Sequence, residues 1–288
     1  MNHQPVENMD HSASHQVLGN TDYAAVTKNQ RQTWASGDFA VIALSIVPVA
    51  ERLVESANPR AGQRVLDVAC GSGNAALVAA RRYCDVIGVD YVPSLLERAR
   101  VRAAAEGLSL QFDEGDAQAL PYENESFDHV LSTFGVMFAP DQPRAARELL
   151  RVCRRGGGKI SLANWTPEGA VGQMFRAVAS YAPTNSPRLA PPSRWGTEDG
   201  IRELLAAPSA SFAFTRRTVT QHYRSVAHAV DSFRTNFGPI VRTLSTLDSA
   251  RQTALIDDLT ALFALHNRAT DGSLAAPLEY LETIVTLG

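Results

Sequence analysis

Cysteine is scarce in this sequence, and the few cysteines present follow no recognised pattern. Only Cys70, Cys84 and Cys153 occur among the 288 residues, and no two of them have Cys-x-x-Cys spacing. An odd, scattered set argues against a disulfide framework and is typical of reduced thiols. We therefore predict a cytoplasmic protein.

Long apolar runs and a strong excess of one charge are also missing. The longest apolar run, residues 41–49, is too short to cross a bilayer and contains Pro48. The N-terminus lacks the basic segment and apolar core of a secretory signal. A formal net charge of −3 offers no general attraction to nucleic acids or anionic membranes. We expect neither as a stable partner, and a homodimer is left open.

The N-terminal segment has few of the apolar residues that folding requires. Residues 1–20 are rich in Asn, Gln and Ser, and we predict a disordered tail there. The histidines His3, His11 and His15 do not have zinc-site spacing, so we expect no metal. With 45% hydrophobic residues, the whole chain can bury a full core. Its length suits one elaborated α/β domain or a core with a small cap.

Residues 65–77 contain the most informative pattern, an apolar strand that runs through a glycine turn into a helix. Glycines in such a turn let backbone N–H groups and the helix N-terminus approach a ligand. Gly71-x-Gly73-x-x-Ala76 also satisfies the loose dinucleotide fingerprint, so the glycines alone leave two cofactors open. Asp67, however, interrupts the strand, whereas a dinucleotide turn normally follows an uninterrupted apolar strand.

Asp67, Gly71 and Gly73 match the spacing acidic-x-x-x-Gly-x-Gly. This spacing resembles the first motif of the class I S-adenosylmethionine-dependent methyltransferases. Further segments follow in that family's order, and they are residues 85–90, 111–121 and 126–138. The resemblance covers roughly residues 63–165. It implies a three-layer Rossmann-like α/β fold, with a mostly parallel sheet, an antiparallel last strand and a helical substrate cap.

The same resemblance implies S-adenosyl-L-methionine as methyl donor, S-adenosyl-L-homocysteine as product, and a set of cofactor-binding residues. Asp90 ends a strand about 20 residues beyond the glycines, where a carboxylate would meet a ribose. Asp116 and Ala117 would flank the adenine. The full set is Asp67, Ala69, Gly71, Gly73, Asp90, Tyr91, Asp116, Ala117, Thr133 and Phe134. As an alternative, Asp67 and Asp90 cap the helices that follow them.

Strand and helix patterns alternate beyond the first motif, which predicts a parallel sheet with covered faces. The predicted strands are 64–69, 85–90, 109–114, 127–133, 159–165, 211–225 and 278–287. The predicted helices are 74–82, 93–106, 140–153, 198–206, 226–246 and 248–266. Five prolines in residues 166–196 predict an irregular connection that bends over the site.

These elements suggest a division of the chain into a lid (21–60), a cofactor-binding core (61–166) and a C-terminal part (167–288). The C-terminal part would complete the sheet and supply cap helices at about 167–196 and 226–270. In the lid, Trp34 and Phe39 either contact the sulfonium or substrate through their ring faces or pack on the core. Met137 and Phe138, after the fourth strand, indicate an apolar or aromatic acceptor, or are core residues.

Methyl transfer from a sulfonium is an in-line displacement, which alignment and desolvation can accelerate without a catalytic dyad. A general base helps only if the nucleophile must lose a proton. His222, Tyr223 and His266 are weak candidates for that base, and each is more often structural. We therefore assign no catalytic residue from the sequence.

The acceptor class is constrained by a missing motif. Residues 132–136 lack the Asn/Asp-Pro-Pro-aromatic signature of enzymes that methylate adenine or glutamine amino groups. The chain is more similar to the ubiquinone and menaquinone C-methyltransferases and to small-molecule methyltransferases. This implies methyl transfer to the O, N or C atom of a small, apolar or aromatic metabolite. Alternatives are a catalytically silent relative that binds S-adenosylmethionine and an NAD(P)-dependent oxidoreductase, although no tyrosine has the Tyr-x-x-x-Lys spacing expected of the latter.

Overall fold

The computed structural model describes residues 21–183 and 189–288, so the predicted tail at 1–20 lies outside the described residues. Its centre is one seven-stranded sheet with the order β3-β2-β1-β4-β5-β7-β6. The strands are β1 (Arg64–Val68), β2 (Asp85–Asp90), β3 (Gln111–Glu114), β4 (His129–Thr133), β5 (Lys159–Trp165), β6 (Ser211–Tyr223) and β7 (Leu274–Thr286).

The first five strands are parallel, and β7 runs antiparallel between β5 and β6. This confirms the predicted Rossmann-like fold with a mostly parallel sheet and an antiparallel last strand. Strand β1 lies between β2 and β4, so the strand order reverses there. In open α/β sheets, ligands bind beyond the carboxyl ends of the strands at such a switch point.

Eleven α-helices are described on the two faces and at the carboxyl end of the sheet. They are α1 (Tyr23–Ala35), α2 (Phe39–Ala43), α3 (Val47–Ala57), α4 (Asn74–Ala80), α5 (Pro93–Ala105), α6 (Gln142–Val152), α7 (Ala170–Ala179), α8 (Glu198–Leu204), α9 (Val226–Asn236), α10 (Gly238–Thr246) and α11 (Ser249–His266). Aspartates cap several starts, as Asp22 does for α1 and Asp38 for α2. In the described part of the chain, no helix is both long and apolar enough to cross a membrane.

Two predictions for the C-terminal half were wrong. Residues 166–196 are not irregular throughout, because helix α7 forms between the prolines and buries Val171 and Met174. The predicted helix 226–246 is two helices, α9 and α10, that meet at Phe237. Pro239 removes a helix N–H group and clashes with the preceding turn. Gly238 lies so close to α1 that a Cβ there would be 2.0 Å from the Thr33 carbonyl oxygen.

Several predicted boundaries also differ from the observed ones. The largest difference is at β7, which begins at Leu274 rather than at 278. Its early part contains Pro277, which pairs with β6, whereas pairing with β5 starts only at Tyr280. Proline is tolerated where one side of a strand has no partner.

Helices from both ends of the chain meet over the carboxyl end of the sheet. Helix α1 packs on α10, α2 packs on α9, and α11 packs on α7 and α9. The N-terminal helices and the C-terminal helices therefore enclose the space above β1 and β4 together.

Candidate active site

A cavity of about 880 Å³, counting space open to solvent, lies at the carboxyl ends of β1, β2 and β4. Helices α1 and α2 supply part of its wall through Trp34 and Phe39. All but one of the predicted cofactor residues line it, and those that do are Asp67, Ala69, Gly71, Asp90, Tyr91, Asp116, Ala117, Thr133 and Phe134. The switch point thus brings together residues from four separate segments.

The glycine loop after β1 presents its backbone to this cavity. Gly71 has φ of +53°, and no atom lies within 4 Å of the place where its Cβ would be. Gly73 lies outside the cavity wall and instead permits close packing behind the loop. A Cβ on Gly73 would be 3.1 Å from the Cβ of Ala99 and 3.3 Å from the Phe112 ring.

Asp90 fixes the loops on either side of it. One carboxyl oxygen accepts a hydrogen bond from the Gly71 N–H group at 2.9 Å, and the other accepts from the Val92 N–H group at 2.8 Å. Burial raises the pKa of Asp90 to about 6, although these backbone hydrogen bonds oppose the rise. Each oxygen has a second lone pair that can accept from a ligand hydroxyl.

Asp67 is a second buried carboxyl group in the cavity wall. Its Oδ2 accepts a hydrogen bond from the Ala76 N–H group in the first turn of α4 at 2.9 Å. Burial, and secondarily the nearby Asp90, raise the pKa of Asp67 to about 7. A cationic ligand group would favour ionisation of both carboxyl groups, so this wall suits positive charge.

Asp116 is held by Gln118, which is not among the site residues predicted from the sequence. The Gln118 backbone N–H and side-chain amide both donate to the Asp116 carboxylate, at 2.9 and 3.0 Å. The same amide donates to the Thr27 hydroxyl of α1, and its oxygen accepts from the Asp141 N–H group. Gln118 therefore joins the β3 loop to α1 and α6, and no motif in the sequence indicates this role.

Asn74 was also missed, although it directly follows the glycine turn, which is a signal for a ligand-facing position. It lines the cavity, and its amide nitrogen donates to the Ala43 carbonyl at 2.9 Å. Arg102 donates to the Asn74 Oδ1 at 2.7 Å and to the Ser72 carbonyl at 2.6 Å. These contacts tie the glycine loop to α2 and α5.

The exit of β4 forms the wall opposite the glycine loop. The Ser132 hydroxyl donates to the Val68 carbonyl at 2.7 Å and accepts from the Val136 N–H group at 3.0 Å, which joins β4 to β1. The Thr133 hydroxyl is buried and has no partner among the described residues. Thr133 itself lines the cavity.

Aromatic side chains separate the main cavity from a second space, which we call the aromatic chamber. Trp34 makes edge contacts with Phe39, Phe138 and Phe237, with ring centroids 4.7 to 5.5 Å apart. Trp34, Phe39 and Phe138 line both spaces, and the chamber has a volume of about 410 Å³, again counting space open to solvent. Met137 is fully buried and lines neither space, so of its two predicted roles it has that of a core residue.

The candidate general bases lie away from the main cavity. His222 is exposed and Tyr223 half-buried at the end of β6, and neither lines it. His266 faces a third space of about 300 Å³, where its Nε2 is 3.4 Å from the Gln173 Oε1. Among the described residues, no group of three or more His, Cys, Asp or Glu side chains is arranged to hold a metal ion.

Comparison with known proteins decides the family. The family model described as a methyltransferase domain matches residues 65–157, from β1 to the turn before β5. The demethylmenaquinone methyltransferase of Thermus thermophilus is 39% identical over 128 residues, which are 43% of this chain and 58% of that protein. The chain belongs to the class I S-adenosylmethionine-dependent methyltransferases.

Other known proteins are similar to this chain well beyond the matched domain. An uncharacterized protein of Mycobacterium tuberculosis is 42% identical over 230 residues, which are 79% of this chain and 84% of that protein. The solved structure of phosphoethanolamine N-methyltransferase 2 from Haemonchus contortus, in complex with S-adenosyl-L-methionine, gives a TM-score of 0.52 at 16% identity. The match covers 83% of this chain and 52% of that chain, and it shows that the two proteins share a fold.

Proposed function

We propose that this methyltransferase binds S-adenosyl-L-methionine in the main cavity and transfers its methyl group to a small, apolar or aromatic metabolite. The observation that carries the proposal is the juxtaposition of the two spaces. A cavity with two buried carboxyl groups, Asp67 and Asp90, shares an aromatic wall with a chamber that is almost entirely apolar.

The residues of the main cavity fit the methyl donor. The open side of Gly71 and the unpartnered Thr133 hydroxyl offer room and a polar contact that no described residue uses. We propose that Asp90 would accept from ribose hydroxyls and that Asp116 and Ala117 would flank the adenine. The raised pKa of Asp67 makes its carboxyl a suitable neighbour for a cationic group of the donor.

In this proposal the protein acts mainly by alignment and by excluding water. When bound, the donor supplies an electrophilic methyl group on a sulfonium. The rings of Trp34, Phe39 and Phe138 present aromatic faces and edges at the boundary between the spaces, where they would exclude water and stabilise a cation. No histidine is found among the described residues of the main cavity wall, so an acceptor atom that needs no strong base suits the site best.

The acceptor would enter the aromatic chamber. Its wall is formed by residues such as Trp165, Met174 and Phe233, which suit an apolar or ring-containing molecule. The partial similarity to a demethylmenaquinone methyltransferase supports an acceptor of this kind.

We further propose that residues 21–60 act as lid, 61–166 as donor-binding core and 167–288 as completion of the sheet with the cap. A cytoplasmic location and the absence of a nucleic-acid partner remain part of the proposal.

Calorimetric titration tests the proposal and separates the alternatives. S-adenosylmethionine and S-adenosylhomocysteine should both bind, and NAD should give no heat. Binding of NAD alone would overturn the methyl-donor assignment and favour an oxidoreductase. A mass-spectrometric search for methylated products across small apolar and aromatic acceptors then tests transfer, and donor binding without any product would favour a silent relative.

A further inference from the structure

The wall of the aromatic chamber contains one uncharged polar side chain that the proposed mechanism does not use. Gln221, on β6, is only 3% exposed. Apart from Gln221 and the two indole rings, the described residues of this wall are wholly apolar, and they include Ile42, Val171 and Leu278. Gln221 also lines the third space, near His266. It therefore lies at the boundary between two interior spaces.

Hydrogen bonds fix the direction in which the Gln221 amide points. Its nitrogen donates to the Ser45 hydroxyl oxygen at 2.6 Å. The Ser45 hydroxyl uses its only proton to donate to the Ile42 carbonyl at 2.7 Å. Ser45 can therefore only accept from Gln221, so the amide nitrogen must face Ser45 and the amide oxygen must face away.

The Gln221 amide oxygen is buried and has no hydrogen-bond partner among the described residues. A buried hydrogen-bond acceptor without a donor carries a free-energy cost in the folded protein. The neighbouring His266 does not relieve it, because the contact of that ring is with Gln173. A ligand that brings an O–H or N–H group into the chamber would remove this cost.

We propose that Gln221 selects methyl acceptors that carry a hydrogen-bond donor, a phenol, alcohol or N–H group, on an otherwise apolar body. This inference rests on the proposed function. Gln221 does not line the main cavity, whereas Phe134 and Phe138 line both spaces. The hydrogen-bonding O–H or N–H group that Gln221 recognises therefore lies at one end of the methylated molecule, remote from the atom that receives the methyl group. Gln221 is a specificity residue and takes no part in the displacement.

Small probes measure this selection directly. Trp34 and Trp165 are both in the chamber wall, so tryptophan fluorescence excited at 295 nm reports binding. We would compare the dissociation constants of 4-ethylphenol and 4-ethyltoluene for the wild type and for Gln221→Met, which preserves the length of the side chain. The preference of each protein is the ratio of its dissociation constants for the two probes. Comparing this preference between wild type and Gln221→Met cancels the difference in hydration between the probes.

The preference for the phenol should fall about tenfold in Gln221→Met, as expected for loss of one hydrogen bond to a buried acceptor. A change of less than twofold would overturn the inference, as would a lack of binding by both probes at millimolar concentration.

Ser45→Ala provides a second test, which applies even if Gln221→Met does not fold. Without Ser45 the Gln221 amide can rotate and present its N–H groups to the chamber. The preference for 4-ethylphenol over 4-ethylanisole, which has only an acceptor oxygen, should then fall several-fold. An unchanged preference would contradict the inference.

Titration with S-adenosylhomocysteine is a separate readout. Failure of the wild type to bind it counts against the proposed function and not against the role of Gln221.

Discussion

The ring of Phe134 lies flat on the ring of Trp165, with centroids 3.7 Å apart and an interplanar angle of 4°. Phe134 has φ of +58°, in the left-handed region that non-glycine residues rarely adopt and that costs about 1–3 kcal/mol. The stack holds the end of β4 in this conformation. Trp165, which does not line the main cavity, thereby positions a residue that does.

Replacing this partner should affect both stability and ligand binding. Trp165→Leu should lower the free energy of unfolding by about 2–4 kcal/mol, because buried aromatic contact is lost and a void remains. Urea unfolding followed by circular dichroism measures the change. The variant should also bind S-adenosylhomocysteine more weakly. Trp165→Phe retains a ring face, so it should lose less stability and less affinity. Equal donor affinity in the two variants would contradict the positioning role.

The two ends of strand β2 offer a matched pair of aspartates. Asp90→Asn should weaken S-adenosylhomocysteine binding at least tenfold, because an amide cannot accept from both Gly71 and Val92 and also from a ligand hydroxyl. Asp85→Asn, at the exposed start of the same strand, should leave the affinity within about twofold. Isothermal titration calorimetry gives both values. Equal losses in both variants would indicate an effect on the strand rather than on the site.

The raised pKa values of Asp67 and Asp90 predict that binding of the cationic methyl donor releases protons. At pH 6–7 these carboxyl groups are partly protonated, with pKa values of about 7 and about 6. A nearby cation lowers both pKa values, so donor affinity should rise with pH and level off near about pH 8. Calorimetry in two buffers of different ionisation enthalpy counts the released protons. Asp67→Asn should reduce that count, and a donor affinity independent of pH would contradict the prediction.

His129 predicts an acid-dependent loss of stability. It is buried beside Gln63, with Nε2 3.2 Å from the Gln63 Oε1, and burial lowers the pKa of His129 to about 4. The unfolded chain binds this proton near pH 6.5, so the contribution to stability is present above that pH and is lost as pH falls toward 4.

Protonation of His129 should lower the free energy of unfolding by about 2 kcal/mol between pH 7 and pH 5. The raised pKa values of Asp67 and Asp90 act in the opposite direction, since their contribution is lost as pH rises through 6–7. The difference between wild type and His129→Gln isolates the histidine. That difference in unfolding free energy should shrink or reverse on acidification, and a pH-independent difference would contradict the assignment.

The junction between α1 and the break at Phe237 predicts a severe effect of a single methyl group. In Gly238→Ala the new Cβ would lie 2.0 Å from the Thr33 carbonyl oxygen, a backbone atom that cannot yield cheaply. Unfolding free energy should fall by more than about 2 kcal/mol, as for other overpacked sites. Gly272→Ala is the control, because its φ of +88° is unfavourable but no atom lies within 4 Å. Similar losses in the two variants would show that the junction is looser than the distance implies.

The sequence predicted those parts of the site that lie close to a strand end and a turn. Asp67 and Asp90 lie at the carboxyl ends of β1 and β2, and Asp116 follows β3. The order of these parallel strands alone therefore brings the three aspartates to one end of the sheet. The bounds of helix α7 escaped prediction because prolines on both sides of it indicated an irregular connection, although none lies inside it. The break at Gly238 escaped prediction because an apolar helical pattern continues across it.

Contacts between distant segments could not be read from the sequence. Gln118 and Thr27 are 91 positions apart, and Gln221 and Ser45 are 176 positions apart. A polar residue in such a pair looks the same in sequence as one that faces solvent. Its meaning appears only when the fold shows which atom is left without a partner.

The contact between α1 and the helix break has a kinetic consequence. Helix α1 carries Trp34, which separates the main cavity from the aromatic chamber, and its end is packed against the start of α10. A movement that opens one space must therefore disturb the wall of the other. In the proposed function, departure of the demethylated donor and departure of the methylated product would therefore share one structural event, and a variant that slows this event should lengthen the residence of both.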